Sequence, residues 1–274
     1  MSKICRIIKN DIYSLFSINK LIFTIIIFTI ISITTMQNIS DIWRNDLGIY
    51  DICFLAFLGP QTLDFKIIEV LKWIIPHIFL YYFISDFIDL ELRERNMYLI
   101  YRIKSLNTWL KSKIISLLII TFFYFFIGFI IVLALAMFKF NVKNNLSYNL
   151  LLTLNSIKLN NFNIIYIIGN MFILMWFSNF LLVLIQFFIS IATKNPIISL
   201  IITSILDIIS VYMGYINLKL VKWVPTNQGI ISRHSILDKV QGMSFTWSYI
   251  YLSLGSLFII FICYKYIQNK GILQ

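Results

Sequence analysis

The chain has 274 residues, of which 59% are hydrophobic and only 13% are charged, and its mean hydropathy is +0.85. A soluble domain carries about a quarter charged residues, so this composition excludes a water-soluble enzyme. The formal net charge is +11, but the basic residues flank apolar runs, where membrane topology and anionic headgroups account for them. The composition is that of a single membrane domain over residues 1–274, and we expect no nucleic-acid partner.

Residues 1–18 predict an amphipathic helix that precedes the first apolar run. Ile4, Ile8 and Ile12 recur at helical spacing, and the basic residues of this stretch lie on other faces. A basic amphipathic helix next to a membrane span is typical of an interfacial anchor. We therefore expect an elbow helix in the headgroup plane.

Six apolar runs are long enough to cross a hydrocarbon core of about 30 Å at 1.5 Å per residue. In the second run, Pro76 predicts a kink beside His77, and Trp73 and Tyr81 fit interfacial positions. The predicted spans are residues 20–37, 67–88, 114–138, 164–192, 196–215 and 247–267.

The basic residues predict the orientation of these spans. Lys and Arg are densest in residues 93–113, and cytoplasmic loops carry the excess of positive charge. Both termini are therefore expected in the cytoplasm. The abundance of Ile and Asn favours a bacterial source, and hence the bacterial plasma membrane.

Residues 89–113 form the longest inner connection and the most charged stretch of the chain. An apolar stripe recurs along it at helical spacing, which suits a short helix pressed into a groove of a partner protein. The alternative is an interfacial helix that lies on the membrane. The candidate docking residues are Glu91, Arg95, Tyr98, Tyr101, Arg102 and Trp109.

The fifth span carries small and polar residues on one helical face, namely Ser199, Thr203, Asp207, Ser210 and Gly214. Such a stripe lets helices approach closely and form hydrogen bonds between them. An ionised Asp207 at mid-span costs roughly 2.5 kcal/mol or more unless the carboxylate is paired with a cation or solvated by water. The stripe, and with it His77, is a candidate translocation path or subunit interface. The alternative is a protonated Asp207 that is bonded to a neighbouring helix for packing.

Three further features stand out. Asn179, Gln186 and Ser190 share a face of the fourth span and are interpreted as groups that hydrogen-bond between helices, with contact to a substrate as the alternative. The outer connection 216–246 is half apolar, which predicts short helices that re-enter the outer leaflet as a gate, or else an interfacial hairpin without a gating role. The outer loop 38–65 is longer and more apolar than a connection requires, so a further element is expected there.

Catalytic motifs are missing. The chain has two histidines, and no metal-binding, nucleophile-elbow or phosphate-loop motif is present. Cys5, Cys53 and Cys263 form no metal-ligand spacing. We expect no catalytic residue, no metal and no cofactor on this chain.

The organisation resembles the ABC-2 type permeases, the membrane halves of type-2 ABC exporters. The resemblance rests on the amphipathic first helix, the six spans, the charged connection 89–113 and the apolar outer segment 216–246. The most specific sequence segment is Glu91-Leu92-Arg93-Glu94-Arg95, followed by Tyr98-Leu99-Ile100-Tyr101-Arg102, Trp109 and Lys113. This segment is similar to the coupling helix of small bacterial permeases that are linked to peptide export and self-protection.

The resemblance implies an all-α polytopic membrane protein whose partners are a separate ATPase, which would bind ATP and Mg²⁺, and a second permease chain, identical or a sibling, in the lipid bilayer. The ATPase would dock under residues 89–113, and spans two and five would line the path. The expected function is export of an amphipathic cargo, such as a peptide, an antibiotic or a lipid. The alternatives are a non-transporting scaffold or immunity protein that binds a toxin or sensor and, third, a membrane enzyme in which Asp207 meets His77 or His234.

Overall fold

The computed structural model describes residues 3–15, 17–38, 46–61, 66–91, 106–143, 146–147, 163–216, 218–237 and 242–270. All regular elements in these ranges are helical, apart from two isolated bridges. In chain order they are α1 Lys3–Leu15, α2 Ile18–Gln37, α3 Ile49–Phe57, α4 Ile67–Leu90, α5 Leu106–Met137, α6 Ile164–Thr193, α7 Pro196–Ile216, α8 Leu218–Val221, two 3-10 turns at Thr226–Gly229 and Ile231–Arg233, and α9 Phe245–Lys270.

Six helices, α2, α4, α5, α6, α7 and α9, are long and apolar enough to cross a membrane. The prediction of an all-α polytopic membrane protein with six spans is confirmed. Every predicted boundary lies within three residues of the observed one except the start of α5, which begins eight residues earlier. The helix begins earlier because the side chains of Trp109, Leu110 and Lys113 are buried against the rest of the protein and extend its packed face.

The junction between α6 and α7 shows how local chemistry sets the boundaries. Lys194 ends α6 in the left-handed region at φ 54°. The side chain of Asn195 then accepts a hydrogen bond from the Ile197 N–H (2.9 Å), and Pro196 occupies the first helical position. An Asn cap followed by Pro is a strong helix start. The two spans therefore form a tight hairpin, and α7 packs along α6.

The centre of the bundle is formed by α4, α5 and α6. α6 is the most buried span and α9 the least. α2 packs on α5 and α4, α7 packs on α6 and α4, and α9 packs on α6. The outward faces of α2, α7 and α9 carry exposed Ile, Leu and Phe side chains, as expected of surfaces that contact lipid.

The helix α3 is the further element expected in residues 38–65. It is almost entirely buried and packs on α2, α5 and α6. The Asp51 carboxylate accepts hydrogen bonds from the N–H groups of Gly48 (2.7 Å) and Ser147 (3.1 Å). Burial raises the pKa of Asp51, and these two N–H donors oppose the rise. α3 therefore joins the loop after α5 to the bundle.

Residues 226–234, here called the re-entrant segment, are buried throughout. The segment packs against α6 and α7. Ser232 donates its N–H to the Leu58 carbonyl (3.3 Å) and its hydroxyl to the Pro60 carbonyl (2.9 Å). The apolar connection 216–246 thus returns into the bundle and is held by the loop that follows α3.

Candidate functional site

Four polar side chains meet in the middle of the bundle and are here called the central cluster: His77 and Tyr81 of α4, Asn179 of α6 and Asp207 of α7. Each is at least 99% buried. The His77 Nδ1 atom lies 3.4 Å from Asp207 Oδ2. The Tyr81 hydroxyl lies 3.1 Å from Asn179 Oδ1 and 3.4 Å from Asp207 Oδ2, and Asn179 Nδ2 lies 3.1 Å from His77 Nε2. Three spans are therefore joined by one polar network.

The helical periodicity of α7 explains how Asp207 reaches this cluster. The predicted stripe of Ser199, Thr203, Asp207, Ser210 and Gly214 is buried along its whole length, while the isoleucines between its members are exposed. The stripe faces α4 and α6 of the same chain. Asp207 bonded to neighbouring helices is the arrangement of the packing alternative, and a path along the stripe would run between α4, α6 and α7.

Towards the α6–α7 turn, the cluster continues as a row of polar contacts. Gln186 donates through Nε2 to the Tyr81 carbonyl (2.8 Å), and the hydroxyls of Ser190 and Ser199 lie 2.5 Å apart. Ser85 donates its hydroxyl to the Pro196 carbonyl (2.9 Å). Gln186 and Ser190 thus form hydrogen bonds between helices, as their shared face of α6 predicted.

Two positions in α4 differ from the sequence prediction. Trp73 and Tyr81 were assigned to the membrane interface, yet Trp73 is buried and packs its ring against His77, and Tyr81 is fully buried in the central cluster. Both side chains therefore contact protein, because an amphipathic aromatic side chain suits a buried polar network as well as a headgroup layer. α4 continues through Pro76, whose carbonyl accepts the Tyr124 hydroxyl (2.8 Å).

At the other end of α7, Arg233 of the re-entrant segment is buried against Gly214. A Cβ atom at position 214 would overlap the Arg233 Cζ atom, so only glycine leaves room for the guanidinium. Arg233 donates to the Asn227 side chain and to the Val211 carbonyl (2.9 Å for the latter). Among the described residues no carboxylate lies within 4 Å of this guanidinium. Burial lowers the pKa of Arg233 to about 10, which leaves it charged.

His234, the next residue, is buried and pairs with α9. Its Nε2 atom lies 3.0 Å from the Ser248 hydroxyl, which donates to the Gln228 side chain (2.8 Å), and its Nδ1 atom lies 3.0 Å from the Ile230 carbonyl. Burial lowers the pKa of His234 to about 4. The imidazole is therefore neutral at pH 7, and it ties the re-entrant segment to the start of α9.

A second charged site lies at the end of the bundle where α1, α4 and α5 meet, and we call it the charge triad. The Lys113 ammonium lies 2.7 Å from Asp11 Oδ1 and 2.8 Å from Glu91 Oε2, and the Ser116 hydroxyl donates to Asp11 Oδ2 (2.8 Å). All four side chains are buried. Burial raises the pKa of Asp11, and Lys113 opposes that rise.

The predicted docking residues lie inside the undescribed range 92–105 or close to its two ends. Arg95, Tyr98, Tyr101 and Arg102 lie outside the described residues. Glu91 and Trp109 are buried at its two edges, Glu91 in the charge triad and Trp109 with its ring centroid 6.1 Å from that of Phe187. These two side chains are therefore not on an exposed surface, and any docking role of theirs would be to position the segment between them.

The described residues also bear on the enzyme alternative. Asp207 and His77 converge, as that alternative requires, whereas His234 pairs with Ser248. The described contacts of His77 are Asn179, Asp207 and the rings of Trp73 and Phe125, with no serine or cysteine among them. No group of three His, Cys, Asp or Glu side chains in this part of the chain could hold a metal ion.

Comparison with protein families identifies a match. The sequence profile of DUF2705, described as a protein of unknown function, matches residues 42–273. The chain belongs to the DUF2705 family. No curated protein and no solved structure matches the chain.

The region matched to DUF2705 contains the whole central cluster, the re-entrant segment, and Glu91 and Lys113 of the charge triad. It excludes α1 and α2, and therefore Asp11, the third member of the triad. The DUF2705 region thus includes five of the six spans and the whole central cluster, but only two of the three charged residues of the triad.

Proposed function

We propose that this chain is the membrane-spanning permease subunit of an ATP-driven ABC exporter. A separate ATPase subunit would bind ATP and Mg²⁺ in the cytoplasm, and a second permease chain, identical or a sibling, would complete the transporter. The cargo would be an amphipathic or hydrophobic molecule such as a peptide, an antibiotic or a lipid. The membrane would be the bacterial plasma membrane, with both termini on the cytoplasmic side.

The observation that carries this proposal is the charge triad. Residues 92–105 hold most of the predicted coupling helix, and the triad anchors both of their flanks, through Glu91 before them and Lys113 after them. The same Lys113 is bonded to Asp11 of α1. A force applied to residues 92–105 would therefore reach α1, α4 and α5 together, because buried ion pairs hold all three helices. A bare connecting loop needs no such anchoring.

The far end of the bundle offers a second line of support. α4 runs from the charge triad through the central cluster, and the re-entrant segment packs on α6 and α7 beside it. The segment is a discrete element, joined to α7 by Arg233 and to the loop after α3 by Ser232, and an outer gate requires such an element to exchange between two arrangements. Alternating access would then couple the motion of α4 and α7 to this segment.

The proposal is tested by affinity purification of the tagged chain from its native membranes, followed by mass spectrometry. We expect an ATPase subunit to co-purify. Replacing Tyr98, Tyr101 and Arg102 with Ala should abolish its recovery, because each interface anchor is worth about 2 kcal/mol, or roughly 30-fold in affinity. The matched control replaces the exposed Phe138 and Lys139, at the opposite end of α5, with Ala and should leave recovery unchanged.

Two results would contradict the proposal. One is that no ATPase is recovered with the wild-type chain while a peptide toxin or a sensor protein is, which would favour the scaffold or immunity alternative. The other is cargo transport by the purified chain in vesicles that contain no ATPase.

A further inference from the structure

The hydrogen bonds of the central cluster determine which of its atoms carry hydrogens. Asn179 Nδ2 donates to the Met175 carbonyl (2.9 Å) and also lies 3.1 Å from His77 Nε2. Only the NH₂ group of an amide can face a carbonyl oxygen, so the Met175 carbonyl sets the orientation of the Asn179 side chain. His77 Nε2 therefore accepts a hydrogen bond from Asn179. In the neutral imidazole the remaining hydrogen is on Nδ1, which lies 3.4 Å from Asp207 Oδ2 without forming a hydrogen bond to it.

This orientation also disfavours a charged imidazole. A protonated His77 would carry a hydrogen on Nε2, and that hydrogen would point at the NH₂ group of Asn179, another donor. Forming the imidazolium would thus break the Asn179 contact in a fully buried site. The charge of the His77–Asp207 pair then depends on the Asp207 carboxyl alone.

Counting hydrogens at Tyr81 gives the state of that carboxyl. The Tyr81 hydroxyl has one hydrogen and lies near two acceptors, Asn179 Oδ1 at 3.1 Å and Asp207 Oδ2 at 3.4 Å. If Asp207 is ionised, one of these contacts brings two oxygens together without a hydrogen. If Asp207 carries a proton on Oδ2, it donates to the Tyr81 oxygen while Tyr81 donates to Asn179. The protonated carboxyl thus satisfies both contacts of the Tyr81 hydroxyl. Asp207 Oδ1 and His77 Nδ1 have no hydrogen-bond partner among the described residues, and an oxygen without a partner is less costly to bury on the neutral acid than on the anion.

The surrounding charges agree with this count. α6 contributes only the uncharged Asn179 to the cluster. The titratable and charged groups of the other packed elements bond to other partners. Tyr124 of α5 bonds to Pro76, Lys72 of α4 to Thr35 of α2, Lys20 of α2 to Asp86, and Asp11 of α1 to Lys113. Arg233 of the re-entrant segment bonds to the Val211 carbonyl, one turn along α7 from Asp207. Among the described residues no Lys or Arg nitrogen lies within 4 Å of Asp207. An ionised Asp207 would therefore be a buried charge without a cation, which is costly.

We propose that Asp207 and His77 form an intramembrane proton-binding site, which holds one proton on the Asp207 carboxyl while α4, α6 and α7 are packed together. Taking up the proton converts the Asp207 carboxylate to the acid, and the hydrogen on His77 Nδ1 stays in place. Releasing the proton leaves an anion that this packing cannot satisfy, so release accompanies separation of α7 from α4. The inference rests on hydrogen-bond geometry and holds whether or not an ATPase drives the protein.

The test is infrared spectroscopy of the full-length protein in lipid vesicles during a pH titration. We expect the carbonyl stretching band of a protonated carboxylic acid, which Asp207→Asn should abolish. Tyr81→Phe should shift this band but keep it, because the acid loses its acceptor and not its proton. The matched control is Ser199→Ala, a buried polar residue on the same face of α7, which should leave the band unchanged.

A second measurement uses the likeness of Asn to a protonated Asp. Asp207→Asn should therefore fold, because its amide can donate a hydrogen bond where the acid does. The proposal is overturned if the Asn variant keeps the wild-type carboxyl bands or if it fails to fold.

Discussion

Replacing Lys113 with Met should strongly destabilise the protein. Met keeps the length of the side chain but removes the ammonium that lies 2.7 Å from Asp11 and 2.8 Å from Glu91. The two carboxylates, 1% and 3% exposed, would then share a buried site without a cation. Removing one partner of a buried ion pair costs about 3–5 kcal/mol. Lys111→Met, two residues earlier on the exposed face of α5, should change stability by no more than about 0.5 kcal/mol.

The pH dependence of the Lys113→Met variant gives a second signature. Burial raises the pKa of Asp11, and Lys113 opposes this rise, so the variant should raise that pKa further. A carboxyl whose pKa is higher in the folded state contributes stability at low pH and loses it as pH rises. The penalty of Lys113→Met should therefore shrink on acidification.

The assay is denaturation of the detergent-solubilised protein by sodium dodecyl sulfate, followed by circular dichroism, at neutral and acidic pH. A Lys113→Met penalty no larger than that of Lys111→Met would refute the reasoning. It would mean that water or an alternative partner compensates the two carboxylates, and that the flanks of residues 92–105 are not fixed to α1.

Three further predictions concern the end of the bundle that holds the re-entrant segment. Gly214→Ala should expel the Arg233 guanidinium from its contact with Val211 and speed tryptic cleavage after Arg233; unchanged cleavage would contradict this packing. Gly59 has φ +77°, and a Cβ there would lie 2.8 Å from Ile230, so Gly59→Ala should cost at least about 1–2 kcal/mol in the same denaturation assay, and a neutral effect would contradict the geometry. Because burial lowers the pKa of His234 from 6.5 to about 4, its contribution to stability is present above pH 6.5 and is lost as pH falls towards 4, by at most about 3 kcal/mol. His234→Gln should flatten that profile, and an unaltered acid transition would assign it to another group.

The sequence was sufficient to predict the spans because each boundary depends on local chemistry. Apolar runs of the right length, the Asn195–Pro196 helix start and the period of the α7 stripe are all readable within a few turns of the chain. The start of α5 was predicted too late because Lys113 looks like the end of an apolar run. Its buried partner Asp11 is 102 positions away, and no local pattern connects the two residues.

The central cluster could be predicted only in part. Asp207 and His77 were identified because ionisable and polar groups are rare in spans. Tyr81 was assigned to the interface because its side chain fits both environments, and its contact with Asp207 joins positions 126 apart in sequence. The burial of Arg233 was not predicted, although Gly214, which makes room for it, was part of the predicted stripe.

The most direct test of the account is the membrane side on which residues 92–105 lie, since an ATPase is available only in the cytoplasm. Single cysteines at positions 105 and 139, in a chain without its three native cysteines, flank α5, a helix of 32 residues or about 48 Å. Labelled with a membrane-impermeant maleimide, position 139 should react in intact cells, and position 105 should react only in inverted vesicles. Reaction of position 105 from outside intact cells would contradict the account.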